Sequence, residues 1–203
     1  MADELTFYTN PMSRGRIVRW ALEEAGVEYT TEVLDYQTSM KAPEYLAINP
    51  MGKVPAIKHG EVVVTECAAI CAYLADAFPE ADLAPAPAER GAYYRWMFYF
   101  AGPFEAATTN RMLGVDVAPE LQRSAGYGSY ETVGAVVEAH LRNSPYVAGE
   151  RFTAADVYCG SQVGWGMQFG TWQPTPVLEA YWARLTERPA YQRGNALDDA
   201  LTA

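Results

Sequence analysis

Residues 49–55 read Asn-Pro-Met-Gly-Lys-Val-Pro, and the fold assignment starts from this loop. A glycine and two prolines enclose it, and the apolar, β-prone run 54–58 follows. Proline lacks the N–H of a ladder bond, so Pro55 suits the first position of a strand. A cis bond before Pro55 would turn the Val54 backbone outward, where its N–H and C=O could pair with an extended peptide-like ligand. The alternative is a plain proline-rich loop.

Upstream of this loop the sequence alternates between strand and helix patterns. Leu5–Thr9 (LTFYT) alternates apolar and polar residues and is predicted to be a strand. A helix follows from Ser13, and Gly26 fits the position just after its end. Arg19 and Glu23 lie four residues apart and are expected on the solvent face of that helix.

The rest of the first 78 residues adds strands to the same pattern. The range 29–34 predicts a second strand, and 54–58 with 61–64 predicts a hairpin. Between them lies one weak helical turn. Another helix is expected to begin after Thr65 and to end before Pro79. The predicted order is therefore β-α-β-(α)-β-β-α.

Beyond this region the sequence predicts helices only. Residues 79–88 contain three prolines and are predicted to form a linker. The pair Gly102-Pro103 should break or kink the first helix. The six aromatic residues within 93–100 are too dense for one helix face, so some are expected in the core and others along a pocket or a subunit interface. Helical stretches start at Glu89, Ser129, Ala154, Thr175 and Pro189. The fold class is thus an α/β domain followed by an all-α domain.

Composition narrows the possible partners. The chain of 203 residues has a formal net charge of −10, which disfavours contact with nucleic acid or an anionic membrane. Its apolar stretches, such as 68–75, are too short to span a bilayer. An anionic ligand would need a local positive patch, and the candidates in the first quarter of the chain are Arg14, Arg16, Lys41 and Lys53.

Cysteine and histidine usage argues against a disulfide framework and a metal site. Three cysteines without regular spacing, and two distant histidines, form neither a disulfide set nor a zinc set. Cys71 and Cys159 are expected to be buried structural thiols. The first residues carry no basic or apolar signal region, so a cytoplasmic location is expected.

Three helix starts carry possible functional residues. Thr65-Glu66-Cys67 could bind a carboxylate on its first-turn amides, or Thr65 could simply cap the helix. The hydroxyl of Ser13 could donate to a thiolate, or it could cap the following helix. The pattern Thr153-Ala-Ala-Asp156 predicts a capping box with a structural role.

Together these motifs resemble the cytosolic glutathione transferase family over nearly the whole chain. Residues 49–55 look like the family's loop before a cis-proline, and Thr65-Glu66-Cys67 with the following Ala-Ala-Ile looks like its second motif. Residues 152–156 are similar to the capping motif of its second domain. The resemblance, with the bacterial-type class unassigned, implies a thioredoxin-like glutathione-binding domain over 1–80. It also implies an all-helical domain over 89–203 that forms the site of an apolar electrophile.

The resemblance also assigns roles to single residues. The Val54 main chain would bind the cysteinyl backbone of glutathione, and Ser13 would stabilise its thiolate. Glu66 would take the ammonium of the γ-glutamyl end, and the Cys67 amide its carboxylate. Basic side chains would meet the glycine carboxylate or nearby polar groups; these are Lys41 and Lys53. No metal is needed, and a homodimer with a role in detoxification is expected.

Two departures from the family pattern leave alternatives open. The family usually has Ser where this chain has Cys67, so a hydroxyl contact becomes a weak thiol contact. An alignment of the first helix puts the catalytic Ser or Thr of several classes on Met12, one residue before Ser13. Tyr8 and Asn10 are the alternative thiol donors. The competing functions are a glutathione-dependent disulfide reductase or peroxidase, and a non-enzymatic glutathione-binding protein.

Overall fold

The computed structural model describes residues 4–202, and residues 1–3, part of the segment expected to carry no secretion signal, lie outside it. Two compact units divide the chain. The first extends to Leu83 and resumes at Glu187, and the second runs from Ala84 to Thr186. The last helix, which is expected from the sequence within a domain over 89–203, packs in the first unit. Within the described residues no helix combines the length and apolarity needed to cross a membrane.

The first unit is built on a four-stranded mixed sheet with the order β2-β1-β3-β4. β1 and β2 are parallel, while β1–β3 and β3–β4 are antiparallel. The strands are β1 (Leu5–Thr9), β2 (Thr30–Val33), β3 (Ala56–His59) and β4 (Val62–Thr65). All four predicted strands are thus present; β1 matches its predicted bounds, and the ends of the other three shift by one or two residues.

Four helices accompany this sheet: α1 (Gly15–Ala25), α2 (Pro43–Leu46), α3 (Cys67–Ala77) and α9 (Pro189–Ala200). Gly26 ends α1 with φ of +65°, as the sequence predicts.

The start of α1 lies very close to the end of β1. A Cβ on Gly15 would sit 1.9 Å from the Thr9 hydroxyl oxygen, so only glycine fits there. Thr9 itself is fully buried, and its hydroxyl has no hydrogen-bond partner among the described residues. This close packing fixes the path of the loop between β1 and α1.

The prediction that Arg19 faces solvent is wrong. Its side chain is buried, and its Nε donates to the Asp198 carboxylate on α9 at 3.1 Å. Its Nη1 donates to the Tyr29 hydroxyl at 3.2 Å and to the Thr31 hydroxyl at 2.8 Å. The guanidinium also lies 5.0 Å from the centre of the Phe7 ring. The face of α1 expected in water is therefore covered by α9.

The second unit contains helices only among its longer elements. They are α4 (Gly91–Tyr99), α5 (Glu105–Met112), α6 (Tyr130–Leu141), α7 (Ala154–Gln168) and α8 (Pro176–Thr186). A short π-helical turn, Phe100–Phe104, separates α4 from α5 and contains Pro103, which confirms the predicted break. Part of the dense aromatic run lies in the core as expected, since Tyr93, Trp96 and Phe100 are buried, while Tyr94 and Phe98 are exposed.

The predicted capping box at the start of α7 is present and extends further than the motif alone indicates. Asp156 accepts hydrogen bonds from the Thr153 N–H at 2.9 Å, the Val147 N–H at 2.8 Å and the Tyr181 hydroxyl at 2.9 Å. Burial raises the pKa of Asp156 to about 6, against the lowering effect of these hydrogen bonds. One carboxylate thus ties together the start of α7, the preceding loop and α8.

We expect Asp156→Asn to lower the free energy of unfolding by about 2–4 kcal/mol at pH 7, because an amide offers one acceptor atom where the carboxylate has two. The pKa of Asp156 is higher in the folded chain than the unfolded value of about 4. The part of its contribution that depends on protonation is therefore largest below pH 4 and is lost as the pH rises through 6, so the difference between the two proteins should be larger at pH 4.5 than at pH 7.5. Urea unfolding of both proteins at pH 4.5 and 7.5 measures this, and an equal difference at the two pH values would contradict it.

Candidate active site

The loop after β1 is held by its own polar side chains. The Ser13 hydroxyl donates to the Asn10 carbonyl oxygen at 2.6 Å and accepts from the Gly15 N–H at 2.9 Å. The Asn10 side-chain N–H donates to the Leu34 carbonyl at 2.8 Å, and its amide oxygen accepts from the Met12 N–H at 2.9 Å. Asn10 thereby links the loop to the end of β2, a role that the sequence did not reveal.

These bonds bear on the three candidate thiol donors. The single hydroxyl proton of Ser13 is directed at the Asn10 carbonyl, so donation to a thiolate requires the hydroxyl to rotate. Asn10 uses one of its two amide protons on Leu34. Tyr8 packs its ring 5.6 Å from that of Tyr45, and burial, with the nearby Glu32 and Glu4 carboxylates, raises its pKa. Tyr8 is therefore protonated at neutral pH.

The loop 49–55 is held by hydrogen bonds from side chains of α2, of the segment before α2 and of the loop itself. The Tyr45 hydroxyl and the Asn49 side-chain amide donate to the Lys53 carbonyl at 2.6 and 2.8 Å. The Lys41 ammonium donates to the Gly52 carbonyl at 2.6 Å.

Gly52 is required by this geometry. It has φ of +58°, and a Cβ there would lie 2.9 Å from the Met40 carbonyl oxygen. Both the backbone conformation and the close approach exclude a larger residue. The conformation of the loop therefore fixes the position of residues 53–55.

Val54, at the end of this loop, has an unpaired main chain. The Val54–Pro55 peptide bond is cis, and β3 begins only at Ala56. Among residues 4–202 the Val54 N–H donates to no protein acceptor and its carbonyl accepts from no protein donor. The Val54 side chain packs on the buried residues Met40 and Tyr45. A fixed residue with both main-chain groups unpaired can accept one further extended strand.

The amino end of α3 differs from the expectation that Thr65 caps it. Thr65 is the last residue of β4, and Glu66 occupies the capping position with φ of +68° and ψ of 123°. No side chain caps the helix there. The Cys67 sulfur lies 3.7 Å from the Arg14 carbonyl oxygen, so α3 begins beside the start of α1. A residue other than glycine at this φ is held at a cost of about 1–3 kcal/mol, which points to a functional role for Glu66.

The strand register brings these segments to one end of the sheet. Ala56 pairs with Tyr8 on β1 and with Thr65 on β4. Val54 is two residues before Ala56, and Glu66 directly follows Thr65, so both lie at the same end of the antiparallel pair. The loop that begins at Asn10 leaves β1 at that end as well.

The positively charged candidates differ in whether their side chains are already paired within the protein or can still contact an anionic ligand. Arg16 is committed within the unit: its Nε donates to the Pro11 carbonyl at 2.6 Å, and its Nη2 pairs with Asp199 at 2.7 Å. The Lys53 side chain is exposed, and no hydrogen bond or ion pair of its ammonium is present in the described part of the chain. Lys41 has protons left besides the one it gives to Gly52.

All three cysteines are free thiols, and all three are buried. Burial, with the nearby Cys67, raises the pKa of the Cys71 thiol well above its usual range, which keeps it protonated. No group of three or more His, Cys, Asp or Glu residues in the range 4–202 could hold a metal ion.

Family models match both units. The model of the glutathione S-transferase N-terminal domain matches residues 3–76, and that of the C-terminal domain matches residues 131–189.

Curated and solved relatives span nearly the full length. The chain is 30% identical to glutathione S-transferase A of Pleuronectes platessa over 187 residues, covering 83% of this chain and 80% of that one. It is 28% identical to glutathione S-transferase 3 of Zea mays, covering 93% and 92%. It is 34% identical to the theta-class enzyme of Xanthomonas axonopodis pv. citri, solved with glutathione bound, with a TM-score of 0.74 and coverage of 95% and 97%.

The fold and the site define a two-domain protein with a thioredoxin-like domain and an all-helical domain. The sheet end that carries Val54 and Glu66 is its candidate active site. With the matches above, the chain belongs to the glutathione S-transferase family.

Proposed function

We propose that this chain binds glutathione along Val54 and activates its thiol for attack on an apolar electrophile. The observation that carries this proposal is the unpaired main chain of Val54 at the sheet end where α3 begins without a side-chain cap. The relative from Xanthomonas axonopodis pv. citri supports the choice of ligand, because it was solved with glutathione bound.

The tripeptide has a group for each part of this site. Its cysteinyl N–H and C=O pair with the Val54 carbonyl and N–H, as in an added β-strand. Its γ-glutamyl ammonium meets the exposed Glu66 carboxylate, and its α-carboxylate meets the amide of Cys67, where the helix dipole is positive. Its glycine carboxylate meets Lys41 and Lys53.

The Ser13 hydroxyl is the proposed donor to the thiolate. A thiol with a pKa of about 8.5 needs about 2.7 kcal/mol of selective stabilisation to fall by two units. A charge-assisted hydrogen bond supplies about 1.5–3 kcal/mol, and the start of α1 adds about 0.3–1. Giving up the bond to Asn10 costs about 0.5–1.5 kcal/mol. The balance of about 0.3–3.5 kcal/mol lowers the pKa of the thiol by roughly 0.2–2.6 units.

We expect Ser13→Ala to reduce turnover with an aryl halide at least tenfold, because the thiolate loses its donor. The same change removes the bond to the Gly15 N–H, so it should also lower the free energy of unfolding by about 1 kcal/mol. Ser129→Ala is the matched control: Ser129 caps α6 by accepting from the Thr132 N–H, so its loss costs similar stability without affecting turnover.

Unchanged turnover in Ser13→Ala would reject Ser13 as the donor and direct the same assay to Asn10→Ala and Tyr8→Phe.

Two other functions fit the same glutathione site. A disulfide reductase or peroxidase would need glutathione itself as the second thiol, since the cysteines are buried. Strong disulfide reduction with negligible aryl-halide conjugation would favour it. A binding protein without catalysis would leave the thiol of bound glutathione with its pKa in free solution, which ultraviolet titration of the thiolate measures.

The helical unit is proposed to contact the electrophile. The chain is proposed to act in the cytoplasm, where its role would be detoxification by conjugation with glutathione from the cellular pool. Three free thiols suit that reducing compartment.

The proposed homodimer has a candidate contact surface on α4, where Phe98 is 74% exposed and Tyr94 is 45% exposed. Sedimentation equilibrium should give twice the chain mass, and Phe98→Glu should shift the protein towards monomer. A wild-type mass of one chain would contradict the dimer.

A further inference from the structure

The helical unit contains a cavity of about 310 Å³ that the proposed glutathione site does not use. Its floor is formed by buried side chains, among them Phe104, Val163 and Trp172. Its rim includes the exposed residues Glu131 and Ala135. The volume is at the small end of ligand pockets in proteins, about 300–1,000 Å³, and fits a molecule of two fused rings.

The cavity exists because small side chains in the middle of one face of α6 leave space beside the helix. Positions 131, 134, 135, 138 and 142 share that face, and residues 134 and 135 are Gly and Ala. A Cβ on Gly134 would lie 2.7 Å from a carbon of the Trp172 ring, so the helix backbone approaches that ring closely. Ala135, next to it, is too short to fill the space.

The aromatic wall of the cavity offers carbon rather than polar atoms. The Trp172 ring is stacked between Tyr130 at 4.2 Å and Phe104 at 4.6 Å. The Trp172 Nε1 donates to the Thr108 hydroxyl at 2.8 Å, and the Tyr130 hydroxyl donates to the Thr171 carbonyl. The polar atoms of both rings are therefore used inside the unit, and the wall suits an apolar ring.

The charged groups at the rim leave one net negative charge. Arg142 pairs with Glu138 at 3.1 Å. The Glu131 carboxylate makes no hydrogen bond or ion pair within residues 4–202. Burial raises the pKa of the adjacent Tyr130, Arg111 opposes this with its guanidinium 5.2 Å from the Tyr130 ring centre, and Glu131 adds to the rise. Arg111 is not among the residues that line this cavity. With a chain charge of −10, this rim disfavours anions and complements a cation.

We propose that this cavity binds an aromatic molecule that carries an ammonium group. The ring body lies against Trp172 and Tyr130 in the space above Gly134 and Ala135, and the ammonium group lies at the Glu131 carboxylate. This site is separate from the proposed glutathione site and does not depend on it.

Isothermal titration of the full chain with three naphthalene compounds of matched size tests the charge preference. We expect 1-naphthylmethylammonium to bind at least tenfold more tightly than neutral 1-naphthylmethanol, and 1-naphthylacetate to bind most weakly. Equal affinity for the three compounds, tighter binding of the acetate, or no binding of the ammonium compound at millimolar concentration would overturn the proposal.

Two pairs of variants test the location. Ala135→Leu fills the cavity and Glu131→Gln removes the charge, and each should weaken binding of the ammonium compound at least tenfold. Their controls are Ala139→Leu, on an exposed position of α6 outside the cavity, and Glu179→Gln, an exposed carboxylate on α8. The far-ultraviolet circular dichroism spectrum and the midpoint of thermal unfolding serve as the check on folding, and for all four variants both should match the wild type. Undiminished binding by Ala135→Leu, or equal losses in the control variants, would reject this location.

Discussion

Arg19→Met is expected to lower the free energy of unfolding by about 3–5 kcal/mol, because it leaves the Asp198 carboxylate buried without its cation. In the native chain the Arg19 guanidinium bonds Asp198 at 3.1 Å, and both side chains are almost fully inside. One Asp198 oxygen has no hydrogen-bond partner among the described residues even with Arg19 present. Thermal or urea unfolding of the full chain measures the loss, which is a large part of a typical total of about 5–15 kcal/mol.

Arg193→Met is the matched control for this prediction. Arg193 lies on α9, the helix that also carries Asp198. It pairs with Glu23 on α1 at 3.1 Å, but its side chain is 55% exposed. Exposed ion pairs contribute about 0–1 kcal/mol, so the control should unfold close to the wild type. Equal losses in the two variants would show that burial of the pair does not govern its contribution.

The pH dependence and the double variant identify the cause of the loss. Burial raises the pKa of Asp198 while Arg19 lowers it, so removal of Arg19 raises the pKa further. The protonated form of Asp198 is then favoured by folding, and the loss in Arg19→Met should be smaller at pH 4.5 than at pH 7.5. Adding Asp198→Asn to Arg19→Met should restore part of the stability at pH 7.5, because no buried charge remains.

Glu66→Gly is expected to change stability and glutathione affinity in opposite directions. Glu66 has φ of +68°, which glycine adopts without a steric penalty, so the free energy of unfolding should rise by about 1 kcal/mol. The variant also loses the carboxylate proposed to hold the γ-glutamyl ammonium. A lost charge-assisted bond of about 1.5–3 kcal/mol raises the dissociation constant of glutathione roughly 10–100-fold.

Glu66→Gln separates the two effects. It keeps the backbone strain but loses the charge, so affinity should fall while stability stays near that of the wild type. Glu61→Gln, an exposed acid in the turn between β3 and β4, is the control for net charge and should change neither quantity. Calorimetric titration with glutathione and urea unfolding measure both, and native affinity in Glu66→Gly would exclude the proposed role of Glu66.

Most of the first unit could be predicted from local sequence signals. Alternation in Leu5–Thr9, Gly26 after α1 and the proline and glycine spacing of residues 49–55 each depend on neighbours in the chain. Such signals fix strands, helix ends and turns, and the structure contains them.

The environment of Arg19 could not be predicted in the same way. Its partner Asp198 is 179 residues away in the sequence. A charged residue on the polar face of a helical pattern normally predicts a side chain exposed to solvent. Only the docking of α9 on α1 reveals that this face is buried.

The candidate site was predicted at the level of segments but not of hydrogen bonds. Residues 49–55 and Thr65-Glu66-Cys67 were identified from the sequence, and the strand register brings Val54 and Glu66 to one end of the sheet. The positive φ of Glu66 has no local signal, since such values normally indicate glycine. The bond from Ser13 to the Asn10 carbonyl likewise depends on loop geometry that composition does not encode.

A crystal structure of the full chain grown with glutathione is the most direct test of how this protein holds its ligand. The expected complex has two hydrogen bonds of at most about 3.2 Å between the cysteinyl residue of the tripeptide and the main chain of Val54. Its γ-glutamyl carboxylate would lie at the first turn of α3. A tripeptide bound at another surface, with the N–H and C=O of Val54 still unpaired, would contradict the proposed binding mode.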